Sequence, residues 1–125
     1  MKKLVSPALI LVGVILLFSK GIDLQPGDSA PDFALTDESG VEHRLSDYRG
    51  QPVVVYFYPK DDTPGCTKEA CAFRDDNPLF EELGVRVFGI SYDSPKSHRR
   101  FKSKYDIPFT LLSDSDKTVA KSYGA

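Results

Sequence analysis

One stretch constrains the fold of this chain more than any other. An apolar run, Val53 to Phe57, leads through a polar turn into a helix-like segment. Both cysteines of the protein, Cys66 and Cys71, lie in that segment, five residues apart. Thr63-Pro64-Gly65 precedes them and is typical of a helix start, because a hydroxyl residue caps the first turn and proline fits the first helical position. The sequence predicts a strand, a turn and a helix, with the two thiols used for redox chemistry.

The predicted helix places Cys66 in its first turn. Unpaired backbone N–H groups and the helix dipole favour negative charge there, and the thiolate is the reactive form of cysteine. Helical spacing puts Cys66, Ala70 and Phe73 on one inward face, which Cys71 does not share. Cys66 is therefore the better candidate for a reactive thiol.

The spacing of the two cysteines limits when a disulfide can form between them. Five residues along an α-helix rise about 7.5 Å and turn through about 500°, so the two Cα atoms lie about 8–9 Å apart. A disulfide needs Cα atoms within about 7 Å. Cys66 and Cys71 cannot be joined while the helix is intact: either the bond never forms, or the first turns unwind to form it.

These residues resemble the active-site pattern of the peroxiredoxins. Pro59, Thr63 and Cys66 stand in the spacing Pro-x-x-x-Thr-x-x-Cys, and a second cysteine five residues on is similar to the peroxiredoxin Q, or bacterioferritin comigratory protein, branch. The resemblance covers the chain from about residue 25 to its end. It is carried also by the blocks at 26–33, 56–59, 89–91 and 109–114.

The resemblance implies a thiol peroxidase for hydrogen peroxide and organic hydroperoxides, without metal or organic cofactor. Cys66 would be the peroxidatic nucleophile that becomes a sulfenic acid, and Cys71 the resolving thiol that closes a disulfide within one subunit. A thioredoxin-like dithiol would then reduce that bond. Thr63 would either cap the helix or hydrogen-bond the thiolate or peroxide, and Pro59 would shield the site from bulk water.

The rest of the chain predicts one α/β domain over residues 22–125. A hairpin is expected around 37–40, followed by buried strands at 53–58, 85–91 and 110–112, the first of them central in the sheet. Helices are expected at 67–76, at 78–83 after a break at Asn77-Pro78, at 95–105 with Asp93-Ser94-Pro95 as its cap, and at 116–123. Strands that alternate with helical crossovers predict a parallel sheet, here a thioredoxin-like fold.

The resemblance also implies features that this sequence does not match. Peroxiredoxins carry an arginine on a later strand that orients the peroxide, and none of the arginines here occupies that position. We interpret the chain as a peroxiredoxin that lacks its last strands and C-terminal helix. The complete domain is expected to be a monomer, whereas bare apolar surface at the shortened end favours aggregation or dimerisation.

Residues 1–21 form a different kind of segment. Lys2 and Lys3 precede an apolar run from Leu4 to Phe18, followed by Ser19-Lys20-Gly21. This pattern is typical of a secretory signal peptide, although an uncleaved signal anchor stays open. Because the positive charges lead, the start should remain cytoplasmic and the domain should be exported, either periplasmic or membrane-anchored facing the periplasm. The alternative is a cytoplasmic protein with an apolar N-terminal helix.

Several polar residues are expected to be structural or solvated. His43 is expected on the surface of an edge strand and His98 on a solvated helix face. Asp61 and Asp62, adjacent in a turn, are expected to be solvated without a catalytic role. A zinc site is improbable, since the two histidines lie in separate segments.

Composition narrows the remaining function classes. The chain has 125 residues, 41% of them hydrophobic and 27% charged, with a net charge of −2, which is typical of one globular domain and gives no sign of a nucleic-acid partner. A thioredoxin-like disulfide reductase would use Cys-x-x-Cys, which the sequence lacks. The non-enzymatic alternative is a redox-inert fragment that only binds a partner or membrane.

Overall fold

The computed structural model describes residues 23–125, which form an α/β arrangement around one five-stranded sheet. Strands β3, β4 and β5 are parallel, while β1 runs antiparallel to both β5 and β2, and the strand order is β2-β1-β5-β4-β3. The elements are β1 (Ala34–Asp37), β2 (Glu42–Arg44), a 3-10 helix (Leu45–Tyr48), β3 (Val53–Phe57), α1 (Pro64–Glu82), β4 (Arg86–Ser91), α2 (Pro95–Tyr105), β5 (Thr110–Ser113) and α3 (Thr118–Ser122).

Both faces of the sheet are covered, as the apolar runs predict. Along β3, Val54 and Tyr56 pack with Cys66 and Ala70 of α1 on one side of the sheet. The alternate side chains, such as Val55, pack on the other side, in a core that contains Phe33, Phe88, Ile90 and Leu112. This alternation follows from the period of two along a strand.

The predicted central position of β3 is wrong for the strands that the structure describes. Among them β3 pairs only with β4 and forms an edge, whereas β4 has a parallel neighbour on each side. A continuous apolar run reports that both faces are buried, and it carries no information on how many strands lie beside it.

The predicted break at Pro78 is also wrong. Helix α1 runs without interruption from Pro64 to Glu82, with Pro78 inside it. Packing spans the proline, because Phe73 and Phe80 lie on either side of it with ring centroids 6.2 Å apart and both pack against the same core. Asn77, just before the proline, is buried on the same face. Burial along one continuous stripe holds both halves of the helix on one axis, despite the lost backbone bond.

The local signals elsewhere are confirmed with small shifts. Ser94 is the N-cap of α2, and its hydroxyl accepts a hydrogen bond from the Ser97 backbone N–H at 3.1 Å. Strands β1 and β2 form the predicted hairpin, and α3 starts at Thr118, two residues later than expected.

The predicted leader, residues 1–21, lies outside the described residues. Within 23–125, no helix is both long enough and apolar enough to span a membrane.

Candidate active site

Cys66 lies in the first turn of α1, where the sequence places it. Thr63 is the N-cap and Pro64 the first helical residue, so Cys66 is the third residue of the helix. The first backbone bond joins the Thr67 N–H to the Thr63 carbonyl at 2.8 Å, which leaves the amides of Gly65 and Cys66 ahead of the first intrahelical bond. The Cys66 side chain therefore sits where the helix end favours negative charge.

The structure separates the two roles that the sequence leaves open for Thr63. Its backbone is extended and caps the helix, but its hydroxyl makes no capping bond. The hydroxyl instead donates to the Lys60 carbonyl at 3.0 Å. Because that bond uses its only proton, the Thr63 hydroxyl can make a further hydrogen bond only as an acceptor. It is suited to accept a hydrogen bond from the O–H of a peroxide or the S–H of a thiol.

Pro59 lies four residues before Thr63 and is exposed. It lines a cleft of about 390 Å³, whose other walls include Tyr58, Ser91, Tyr92 and Lys121. Neither Cys66 nor Thr63 is part of that lining, so the cleft lies beside the thiol rather than over it. The predicted shielding role of Pro59 stays a prediction.

Cys71 lies one and a half turns beyond Cys66 on the same continuous helix, and both thiols are free. Cys66 is 8% exposed, while Cys71 is partly exposed and lies off the buried face formed with Ala70. The structure therefore shows the two thiols in the unjoined arrangement that an intact helix imposes.

Aromatic rings form the floor beneath Cys66. The Tyr56 ring stacks on Phe73 at 4.5 Å and on Tyr58 at 5.6 Å between centroids. The Tyr56 hydroxyl is buried and has no hydrogen-bond partner among the described residues. Burial, and then the charges of Glu69 and Asp61, raise the pKa of Tyr56, so that its phenol stays neutral.

The prediction that Asp61 is solvated is wrong. Asp61 is 7% exposed, and its carboxylate accepts hydrogen bonds from the Tyr58 hydroxyl at 2.6 Å and the Ser97 hydroxyl at 2.8 Å. Its backbone N–H donates to Asp93 at 2.8 Å. Burial alone would raise the pKa of Asp61, but the hydrogen bonds from His98 and Tyr58 lower it below its usual value.

The prediction that His98 is solvated is wrong as well. His98 is completely buried, with Nδ1 2.7 Å from Asp61 and Nε2 3.1 Å from the Leu112 carbonyl. A carbonyl oxygen only accepts, so Nε2 carries a proton. Nδ1 lies within hydrogen-bond distance of the ionised Asp61 carboxylate, so the ring joins Asp61 to the Leu112 carbonyl of β5. Its helical spacing to Phe101 was the signal for an inward position.

Asp62 is exposed, as predicted, but it is also bound. Its carboxylate accepts from Lys104 Nζ at 2.7 Å and from the Tyr105 hydroxyl at 2.8 Å. Those hydrogen bonds lower the pKa of Asp62. Its backbone has a φ of 58°, in the left-handed region, which lets two adjacent carboxylates point in different directions.

His43 is not the surface residue that the sequence predicts. Its Nε2 lies 2.7 Å from Asp37 and its Nδ1 lies 2.7 Å from the Tyr48 hydroxyl, with the ring stacked on Tyr48. Asp37 also accepts from the backbone N–H groups of Ser39 and Val41. This cluster closes the β1–β2 hairpin and lies on the sheet face opposite α1.

Within residues 23–125, one group of side chains has the spacing of a metal site. Asp61, Asp93 and His98 offer ligand atoms that all lie within 4.8 Å of one another. Those atoms already bond one another or the backbone: Asp93 accepts from Ser91 Oγ at 2.7 Å as well as from the Asp61 N–H. We assign this group a structural role.

Arg74 is the arginine nearest in sequence to Cys71. Its Nη1 donates to the Tyr105 carbonyl at 2.8 Å, and its Nε donates to Asp75 at 3.0 Å. Its guanidinium is therefore engaged at the end of α2.

A second cleft, of about 570 Å³, lies away from both cysteines. Its walls include Asp32, Tyr48, Arg49, Val55 and Tyr123. It contains no thiol, and we place the chemistry at Cys66 because reactivity, rather than cleft volume, locates a nucleophile.

Comparison with known proteins gives a consistent answer. Residues 26–125 match the model of the AhpC/TSA family. Peroxiredoxin Q of rice (Oryza sativa subsp. japonica) is 55% identical over 98 residues, which cover 78% of this chain and 45% of the rice protein. A putative peroxiredoxin bcp of Coxiella burnetii is 53% identical over 103 residues, which cover 82% of this chain and 68% of that protein.

Solved structures agree with the fold. The crystal structure of peroxidoxin BcpB from Mycobacterium tuberculosis superposes with a TM-score of 0.77 at 42% identity, over 82% of this chain and 67% of that one. This confirms the thioredoxin-like fold in its peroxiredoxin variant. The chain spans about half the length of the plant relatives and about two thirds of the bacterial ones.

Proposed function

Because this chain belongs to the AhpC/TSA family, in its peroxiredoxin Q branch, we propose that it is a thiol-dependent peroxidase in which Cys66 is the nucleophile. Hydrogen peroxide and organic hydroperoxides are the proposed substrates. The single observation that carries the proposal is the position of Cys66: a free thiol in the first turn of α1, three residues after a hydroxyl whose oxygen is available as an acceptor.

The first chemical step is attack by the Cys66 thiolate on one oxygen of the peroxide. The O–O bond breaks, Cys66 becomes a sulfenic acid, and the other oxygen leaves as water or an alcohol after taking up a proton. Thr63 is placed to accept a hydrogen bond from the peroxide O–H, which orients the attacked oxygen toward the sulfur.

Cys71 resolves the sulfenic acid in the second step. Its thiol attacks the Cys66 sulfur, a disulfide forms, and water leaves. The geometry of α1 requires the helix between the two residues to unwind before the sulfurs can meet. A thioredoxin-like dithiol is the proposed reductant that returns both thiols, with its own disulfide as the product.

Thiol counting before and after one equivalent of hydrogen peroxide tests this function. The wild type is expected to lose both thiols to an intramolecular disulfide. Cys66→Ser should lose none, and Cys71→Ser should hold a sulfenic acid on Cys66 that dimedone traps. A wild-type chain whose two thiols survive peroxide is the redox-inert fragment of the alternative hypothesis.

The rival enzyme class needs a separate assay. A thioredoxin-like reductase would reduce the disulfides of insulin with dithiothreitol as the electron source. We expect no acceleration of insulin reduction, because reductases of that class use Cys-x-x-Cys, which this sequence lacks. Rapid insulin precipitation would favour the reductase.

We also propose that residues 1–21 direct the domain out of the cytoplasm. The support is the sequence pattern alone: two lysines, an apolar run and small residues. Fractionation of cells that express the full chain, with N-terminal sequencing, separates a cleaved periplasmic form from a membrane-anchored one and from a cytoplasmic one. We propose that the complete domain acts as a monomer, which sedimentation of the purified protein tests.

A further inference from the structure

Helix α1 has a weak point beyond the two cysteines. Pro78 has no backbone N–H, so the carbonyl of Arg74, four residues earlier, receives no helical hydrogen bond. If the first turns of α1 unwind during turnover, nothing in the backbone bonding stops that unwinding between Arg74 and Pro78.

The Arg74 side chain lies at this weak point and ties it to another helix. Its Nη1 donates to the Tyr105 carbonyl, at the C-terminal end of α2, with an N–O distance of 2.8 Å. The last carbonyls of a helix have no intrahelical donor, and a cation there also interacts favourably with the helix dipole. The contact therefore gives a C-terminal carbonyl of α2 a hydrogen-bond donor, and it fixes the part of α1 that follows Cys71.

The turn before Cys66 is fixed to the same helix at two points. Asp61 bonds to Ser97 and His98 in the first turns of α2, and Asp62 bonds to Lys104 and Tyr105 in its last turn. The Asp61 contact is buried, whereas the Asp62 contact is exposed to solvent. Tyr105 thus contacts both sides of the cysteine segment, through its hydroxyl on one side and its carbonyl on the other.

We propose that α2 anchors both ends of the cysteine segment, so that the unwinding that brings Cys71 to Cys66 stays within residues 63–73 and Arg74 acts as its downstream stop. The proposal rests on the proposed function, since it concerns the step that forms the disulfide. Arg74 is a positioning residue in this account: it touches neither thiol and limits how much of α1 is disordered at each turnover.

Confinement of the unwinding limits how much of α1 leaves the core. A short unwound segment keeps both sulfurs near the anchored turn, and it leaves the second half of α1 packed on the core through Asn77 and Phe80. Without the stop, unwinding would pass Pro78 and would expose Asn77, which is buried in the intact helix.

Hydrogen exchange read by mass spectrometry tests the proposal on reduced and peroxide-oxidised protein. In the wild type, oxidation should remove protection from amides up to Asn77, because their helical acceptors lie within 63–73, and leave those from Leu79 onward protected. In Arg74→Gln, the loss should extend to the amides of residues 79–82, whose acceptors lie at 75–78, and disulfide formation should be about threefold faster because less structure resists unwinding. The rate at which peroxide oxidises Cys66 should not change.

Two further variants keep the test decisive. Arg99→Gln is the matched control, because Arg99 also donates from Nη1 to a backbone carbonyl at 2.8 Å, but to Glu38 of the hairpin. It should behave as the wild type. Adding Pro78→Ala to Arg74→Gln restores a donor for the carbonyl of residue 74 and should return protection to the amides of residues 79–82.

The outcomes separate this inference from the proposed function. If peroxide forms no disulfide between Cys66 and Cys71 in the wild type, the proposed function fails. If the disulfide forms but Arg74→Gln shows the wild-type exchange boundary and rate, or if the wild type already loses protection at residues 79–82, then Arg74 is not a stop and the inference is wrong.

Discussion

His98 Nδ1 lies 2.7 Å from Asp61 Oδ2, and the His98 side chain is completely closed off from solvent. The two residues are 37 positions apart, and together they join the turn that leads to Cys66 with the start of α2. A buried pair of this kind fixes geometry, because removing either residue leaves the other without its hydrogen-bond partner in the core.

Removing one partner of this pair should destabilise the fold. For His98→Leu we expect a loss of about 3 kcal/mol in the free energy of unfolding, because Asp61 and the Leu112 carbonyl lose their donor. Urea denaturation measures it. Lys104→Ala, which breaks the exposed pair with Asp62, is the control and should change stability little. Equal effects of the two substitutions would show that the buried pair is not a special anchor.

The same pair predicts how stability depends on pH. The folded-state pKa of Asp61 lies below the ordinary value of 3.8, so its contribution is present above that value and is lost as the pH falls through the lowered pKa. Wild-type protein should be more stable than Asp61→Asn at pH 7. The difference should narrow below pH 3.8 as the wild-type carboxylate takes up a proton. A difference that is constant from pH 7 to pH 3 contradicts an ionised Asp61.

Tyr56→Phe should be neutral or stabilising, by up to about 1 kcal/mol. Among residues 23–125 the buried Tyr56 hydroxyl has no hydrogen-bond partner, and deleting it removes the cost of its desolvation while the ring keeps its stacking on Phe73. Urea denaturation again gives the answer. A clear loss of stability would show that the hydroxyl has a partner in solution.

Gly89→Ala should cost about 1–3 kcal/mol of stability, since a methyl group there overfills the core. A Cβ at this position would lie 2.8 Å from the Tyr56 hydroxyl and 2.9 Å from Leu111. Gly65→Ala is a suitable control: its Cβ meets nothing within 4 Å, and alanine favours a helix. The account of the core is wrong if Gly89→Ala is as stable as the wild type.

The sequence predicts this site wherever the signal is local. The Thr63-Pro64 start of α1, the Ser94 cap of α2 and the inward face at Cys66 depend on residues a few positions apart, and the structure confirms them. The polar character of Asp61 and His98 led to the wrong prediction that they are solvated. Each is buried because it pairs with the other, 37 residues away, and no local pattern encodes that contact.

Two errors concern packing rather than chemistry. Pro78 signals a break by local rules, but the buried stripe through Phe73 and Phe80 outweighs one lost hydrogen bond. The position of β3 in the sheet depends on the order of all strands, which the apolar character of its residues does not specify.

The central claim is that Cys66 reacts with peroxide and can meet Cys71 only when α1 unwinds. The most direct test follows thiol content and far-ultraviolet circular dichroism together after one equivalent of hydrogen peroxide. The account predicts that two thiols disappear while helical signal is lost in the wild type, whereas Cys71→Ser forms a sulfenic acid with its helix retained. A Cys66–Cys71 disulfide with undiminished helical signal, or a Cys66 that does not react, would contradict it.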